Sequence, residues 1–290
     1  MAVNAIGFYS FYILSWILFL LPLRLLYGVA YLLYIFAFYI IKYRKKTVLL
    51  NLKNSFPDKT EKEIEELARK FYIHFCDSLI EIIKLIHISP KELEKRVVFN
   101  NIELFDRLYK ENKNVILVSG HYGNWTWMVR LPLYLKHKPT VIYKALHNIH
   151  FNEFEKKKRA RYGAILIRDQ EAYKKLLELN NKKELFLCWF LTDQRPPKPL
   201  HFWTNFLNQD TPVFLGAEKV ARKVHAAVVY MEINKIKRGY YSVDFKLLVE
   251  DASKTLEGQI TEMHTRELEK TILKNPAYWL WSHKRWKHVR

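Results

Sequence analysis

The sequence predicts an α/β protein with a mostly parallel central sheet and helices on both faces, preceded by an N-terminal membrane-anchoring helical segment. Three observations carry this expectation. Val115-Ile116-Leu117-Val118-Ser119 is aliphatic and β-branched with no polar alternation, as a strand covered on both faces requires. After Asn101, strand-like and helix-like stretches alternate, the rhythm of parallel strands joined by crossover helices. Between Ala5 and Ile41, Arg24 is the one charged residue.

The N-terminal stretch comes first. A run from Ala5 to Leu21 is followed by Pro22 and Arg24 and then by a second apolar run from Leu25 to Ile41. Each is near the lower limit for crossing a hydrocarbon core of about 30 Å, so one spanning helix and one helix in the interface are expected. Lys42, Arg44, Lys45 and Lys46 follow at once, which places the main domain on the cytoplasmic side. A cleaved signal peptide is the competing reading, disfavoured because no Lys or Arg precedes the apolar run and no small-x-small site ends it. The expected division is residues 1–46 as anchor and 47–290 as one α/β domain, a size that 290 residues, half of them hydrophobic, support.

Thr60 with Glu63 forms a capping box that opens a helix to about Ile86, its apolar face including Ile64, Leu67, Phe71, Phe75, Leu79, Ile82 and Ile83. Strands are expected near Val97–Phe99, Val115–Ser119, Thr140–Tyr143, Ala164–Ile167, Leu185–Leu191, Ala226–Glu232 and Tyr240–Leu248. Helices fall near Ile102–Asn112, Asn124–Lys136, Phe151–Arg161, Glu171–Asn180, Leu215–Lys223 and Gly258–Leu273. The proline-studded stretch from Thr192 to Pro212 reads as an irregular, cleft-lining loop.

Composition restricts the chemistry. Cys76 and Cys188 are far apart and form no C-x-x-C pattern, so neither a disulfide framework nor a zinc site is indicated, and no metal or cofactor is expected. A net charge of +19 calls for anionic partners, whether lipid head groups, an acidic carrier protein or nucleic acid. Nucleic acid is disfavoured by the lack of any helix-turn-helix, RNA-recognition or zinc pattern, and a serine hydrolase by the lack of G-x-S-x-G.

His121 stands just past the carboxyl end of the buried strand, inside Gly120-His121-Tyr122-Gly123, with Asn124 as the N-cap of the next helix. Open α/β sheets bind ligands at that edge, and imidazole suits proton abstraction near neutral pH. A satisfied turn histidine would read the same way. Asp193 again follows a strand end and so faces the ligand side of the sheet, with an Asp capping a local turn as the lesser alternative. In the cationic stretch Lys156 to Arg161 the lysines read as a solvated face, while the arginines suit phosphate or carboxylate binding.

Ser119-Gly120-His121-Tyr122-Gly123-Asn124-Trp125 resembles the active-site segment of the bacterial lipid A late acyltransferases, the lauroyl/myristoyl acyltransferase family within the glycerolipid acyltransferase superfamily. Further blocks resemble it in the same order. They are Asn51-x-x-Asn54-x-Phe56-Pro57, an acidic residue like Glu81, an arginine at 161 or 159, Asp193-Gln194, Thr211-Pro212 with Gly216, and Pro276-x-x-Trp279-x-Trp281-x-His283-x-Arg285-Trp286. One departure is evident: where the family has Glu or Asp four residues beyond its histidine's neighbour, this chain has Thr126.

The resemblance implies a bacterial inner-membrane enzyme that moves a fatty acyl chain from acyl carrier protein or acyl-CoA to a hydroxyl of an anionic lipid A precursor. His121 would be the base, and Asp193 would support the cleft by pairing with Arg161. Gly120, Asn124, Trp125, Arg159, Arg161, Arg195, Thr211 and Gly216 would surround the substrates. Thr126 leaves three readings: another carboxylate substitutes, the protein is a silent lipid-binding relative, or the acceptor is an amine.

Overall fold

The computed structural model describes residues 2–200 and 202–288; Met1, Val289 and Arg290, at the limits of the two expected segments, and His201 in the expected loop lie outside it. The chain begins with α1 (Ala2–Leu20), α2 (Leu23–Ile35, continued by a π-helical turn Phe36–Ile40), α3 (Lys45–Ser55), α4 (Glu61–His87) and α5 (Pro90–Arg96). The central part follows as β1 (Val97–Phe99), α6 (Glu103–Lys110), β2 (Val115–Ser119), a 3₁₀ helix (Trp125–Tyr134), β3 (Lys138–Tyr143), α7 (Ile149–Ala160), β4 (Ile165–Arg168), α8 (Ala172–Asn181) and β5 (Phe186–Leu191). The last part is β6 (Phe202–Phe206), β7 (Gln209–Val213), α9 (Gly216–Lys223), β8 (Ala227–Lys237), β9 (Tyr240–Val249) and α10 (Gln259–Lys274).

Seven strands form one sheet in the order β1-β9-β8-β2-β5-β3-β4, with helices packed around it. The five from β8 to β4 are parallel, whereas β9 returns antiparallel to β8 through the two-residue turn Arg238-Gly239 and carries β1 parallel to itself. Gly239 takes the positive φ (75°) that such a hairpin turn needs. All five residues of β2 are buried, as the continuous aliphatic run predicts.

The capping box at Thr60 forms as expected: the Thr60 N–H donates to Glu63 Oε2 (2.8 Å) and the Glu63 N–H to Thr60 Oγ1 (3.3 Å). The buried face of α4, however, is turned from the one the apolar spacing marks. Ile64, Ala68, Phe71, Tyr72, Cys76 and Ile80 are inside, Leu79 is exposed, and His74, Asp77, Ser78 and Glu81 are buried with the core. Partners supplied by α2 and by the β8–β9 hairpin meet His74, Asp77 and Glu81, while Ser78 meets His74, and no helical periodicity reports such partners.

Two other expectations need correction. The stretch from Thr192 to Pro212 is not wholly irregular: β6 and β7 pair antiparallel, and Leu207 and Asn208 at their turn both take positive φ (51° and 60°) without a glycine to signal it. The helix after His121 is a 3₁₀ helix rather than an α-helix, with Pro132 inside it, and Asn124 makes no side-chain cap, its Oδ1 accepting from Thr126 Oγ1 instead.

Among the described residues, Leu23–Ile40 is the stretch long and apolar enough to cross a membrane, and a third of it is buried against the domain. α1 presents Ile6, Ile13, Ile17 and Leu20 outward, while its aromatic side packs on α7 through Phe8 and Phe11 against Phe151 and Phe154.

Candidate active site

Register brings the central pair together. Ser119 of β2 lies opposite Leu191 of the neighbouring parallel strand β5, and each chain then advances two residues, one to His121 and the other to Asp193. The Thr192 N–H still donates to Ser119 O (3.0 Å), so the two loops leave the sheet side by side. Asp193 Oδ1 lies 2.6 Å from His121 Nδ1, and Oδ2 accepts the His121 backbone N–H (2.8 Å) and Trp279 Nε1–H (2.8 Å). Gly120 permits this approach, since a Cβ there would stand 2.6 Å from Leu268 Cδ1 and 3.3 Å from Asp193 Oδ2.

This geometry decides the tautomer. An ionised carboxylate only accepts, so Nδ1 carries the proton and Nε2 keeps its lone pair. Gln194 Nε2 sits 3.2 Å from that lone pair and donates to it. Burial alone would raise the Asp193 pKa; the electrostatic attraction of the adjoining His121, with the donors from His121 and Trp279, overrides it and holds the carboxyl at about 2. The sign follows from a depressed folded value: the contribution to stability is complete above the ordinary carboxyl value of 3.8 and is lost as pH falls toward 2. Acid unfolding followed by circular dichroism should therefore show a destabilising limb between about pH 4 and 2 that Asp193→Asn lacks.

His121 opens on a cavity of about 330 Å³ between α4 and the C-terminal segment. Phe71, Phe75, Leu79, Ile82, Trp125, Tyr278, Trp279 and Leu280 make most of its wall, with the Trp125 ring edge-on to the imidazole at 4.9 Å. Arg44, Gln194, Ser282 and His283 add polar groups. Burial, with Arg285, His121 and Arg195 adding to it against the pull of Asp193, pushes His283 down to about 4, so its ring is neutral at pH 7. Arg195 stands half-buried beside it and, among the described residues, donates to no protein acceptor.

The remaining expected residues distribute unevenly. The anticipated Asp193–Arg161 pairing is absent: Arg161 donates to the carbonyls of Leu85 (3.2 Å) and Ile88 (2.7 Å) at the end of α4, because the carboxylate is already taken by His121 and Trp279. Arg159 pairs with Glu155 (3.5 Å). Thr211 is fully buried and holds Gln209 O and Trp286 Nε1 (both 2.7 Å), while Gly216 starts α9 against the Phe214 ring. Neither Arg159, Arg161, Thr211 nor Gly216 lines the cavity. Asn124 donates to Glu81 Oε2 (2.6 Å), and Thr126 Oγ1 donates to Asn124 Oδ1 (2.5 Å), so the Thr126 hydroxyl is engaged by Asn124 and not by the imidazole.

Sequence reasoning did not assign Gln194, Trp279 or His283 to the site, although all three stood in motif blocks already noted. A carboxylate at position 126 would have to face Asn124, whose amide already serves Glu81. Thr126→Glu is therefore expected to give no gain in turnover, which a side-by-side rate measurement checks.

The features define a class: an α/β protein with a hydrogen-bonded histidine–aspartate pair on the carboxyl edge of a parallel sheet, beside an apolar cavity. Residues 2–288 match the family described as bacterial lipid A biosynthesis acyltransferase, and the chain belongs to that family. Among curated relatives, it is 24% identical over 185 residues to a lipid A biosynthesis acyltransferase of Haemophilus influenzae, covering 62% of this chain and 56% of that one. Lipid A biosynthesis acyltransferase 2 of Shigella flexneri is 25% identical over 91 residues, covering 31% and 28%. The matches thus span about half or less of those relatives' length. A solved 1-acyl-sn-glycerophosphate acyltransferase from Thermotoga maritima superposes with a TM-score of 0.40 at 14% identity, covering 89% of this chain and 99% of that one.

Proposed function

We propose that this protein is a membrane-associated acyltransferase that moves a fatty acyl chain from an acyl carrier protein or acyl-CoA thioester to a hydroxyl of a lipid A precursor or a related anionic lipid. The observation that carries this reading is the His121–Asp193 pair opening on an apolar cavity. The acceptor hydroxyl replaces the Gln194 amide at His121 Nε2 and gives up its proton there as its oxygen bonds to the thioester carbon. Asp193 holds Nδ1–H and stabilises the imidazolium. As the C–S bond breaks, the leaving thiolate takes the proton back. Because a charged partner supports the base, a hydroxyl rather than a more reactive amine is the expected acceptor, and a disarmed lipid-binding role loses its motive. His121 is the base and Asp193 its partner; Gly120 and Trp125 shape the site, and Asn124 steadies the turn.

Anionic donors and acceptors suit the +19 charge, with Arg44 on the cavity wall and Arg195 acting on His283. The outward apolar side chains of α1 and α2, among them Ile13, Leu20, Leu25, Leu32 and Ile40, suit a bilayer. With Lys42 to Lys46 following, the reading places the catalytic domain on the cytoplasmic side of a bacterial inner membrane. Purified protein in detergent, given an acyl thioester and an anionic lipid acceptor, is expected to consume the thioester and yield acylated lipid by mass spectrometry. Lipid binding without thioester consumption would overturn the proposal.

A further inference from the structure

Glu81 is fully buried on α4 and is not among the residues lining the cavity beside His121. Three donors from three different elements converge on it: Tyr27 Oη of α2 on Oε1 (2.8 Å), and Asn124 Nδ2 (2.6 Å) and Tyr241 Oη of β9 (2.8 Å) on Oε2. The Asn124 amide has no freedom to turn around, because its Oδ1 accepts from Thr126. The Glu81 carbonyl accepts Trp127 Nε1–H (3.0 Å), so both the backbone and the side chain of one residue grip the segment that leaves His121. On its other side that segment is held by the C-terminal chain, Gly123 N–H donating to Tyr278 O (3.0 Å) and Tyr122 Oη to Asn275 O (3.0 Å).

The α2 end of this set is built with equal care. Gly239, at positive φ, leaves the space that Tyr27 Oη uses; a Cβ there would lie 2.3 Å from that oxygen. Arg238 donates to the Tyr27 carbonyl (3.3 Å) while forking onto Asp77, one turn of α4 before Glu81. A buried carboxylate stripped of one donor recovers it by shifting toward another, and here the other donors are the catalytic turn and β9.

We propose that Tyr27 and Glu81 are positioning residues that tie the seating of the N-terminal helix α2 to the turn presenting His121. The membrane-facing helix thereby serves as part of the catalytic framework as well as an attachment. This inference rests on the acyl-transfer reading for its kinetic test but not for its spectroscopic one.

The experiment compares Tyr27→Phe, Asn124→Ala and their combination with wild type, using full-length protein in detergent. Tyr34→Phe is the control, an α2 tyrosine whose hydroxyl meets Tyr39 (3.4 Å) and not Glu81. Tyr27→Phe is expected to lower kcat about tenfold and Asn124→Ala about a hundredfold, the scale of a small displacement of a catalytic group, with KM little changed. The double variant should be no slower than Asn124→Ala alone, since both break one connection. Independently of substrate, the low-field proton resonance of His121 Nδ1–H, assigned by its loss in His121→Ala, should move in Tyr27→Phe and stay in Tyr34→Phe. Rates that multiply, or a Tyr27→Phe protein that merely melts earlier with the resonance and kcat unmoved, would overturn the proposal. A wild type without turnover would remove the acyl-transfer reading and leave the resonance to decide this one.

Discussion

Replacing His121 by alanine is expected to lower thioester consumption in the presence of the lipid acceptor by about 10³- to 10⁴-fold, the upper range for loss of a general base. Neither Gln194 nor Asp193 can stand in. Gln194 carries an amide that takes no proton, and Asp193, held near 2, is a feeble base at neutral pH and points its oxygens at the histidine and Trp279. His283, neutral at pH 7 and on the same cavity wall, is the nearest rival for the role, although its low pKa of about 4 makes it a weaker base. The comparison of His121→Ala with His283→Ala in one assay separates them: the first abolishes turnover, and the second weakens it through the shape and charge of the site.

The second large effect belongs to Asp193. Asp193→Asn keeps the volume but turns an acceptor-only group into one that also donates. The imidazole then loses both its enforced tautomer and the charge that balances its protonated form, and kcat is expected to fall about 10⁴-fold, as for loss of a triad carboxylate's charge. KM should change little, because Asp193 is buried behind the ring and touches no cavity space. Trp279 offers an internal check. Its indole N–H shares Oδ2, so Trp279→Phe removes one of three donors to the carboxylate and should produce a far smaller loss than the Asn variant.

Much of this arrangement was legible residue by residue. The buried aliphatic run of β2 required a strand covered on both faces, and the Thr60/Glu63 pair marked the start of α4 through chemistry local to four residues. His121 and Asp193 were each recognisable as standing past a strand's carboxyl end. Their partnership was not, because it depends on which strands are neighbours and in what register, and that is a non-local fact: β2 and β5 lie side by side while β3 and β4, between them in sequence, lie beyond.

The same reason explains the misassigned Arg161. A guanidinium on a cationic helix end looks available for an anion, yet the carbonyls at the end of α4, more than seventy residues away in sequence, take its donors. On α4 the apolar spacing pointed to Leu79 as core, whereas the protein buries Glu81 and Asp77 instead; partners from α2, β9 and the β8–β9 turn pay for that burial. Where a hairpin turn lacks glycine or proline at its two central positions, as at Leu207-Asn208, local signals fail for a simpler reason: positive φ is there imposed by the pairing of the flanking strands.

The central claim is that Asp193, and not the residue at 126, is the acid that works with His121. Thr126→Glu introduced into Asp193→Asn tests it most directly, with kcat for acyl transfer as the readout. The double variant should remain as slow as Asp193→Asn alone, since a side chain at 126 faces Asn124 and not the imidazole. Recovery toward the wild-type rate would contradict the account and return the partner's role to position 126.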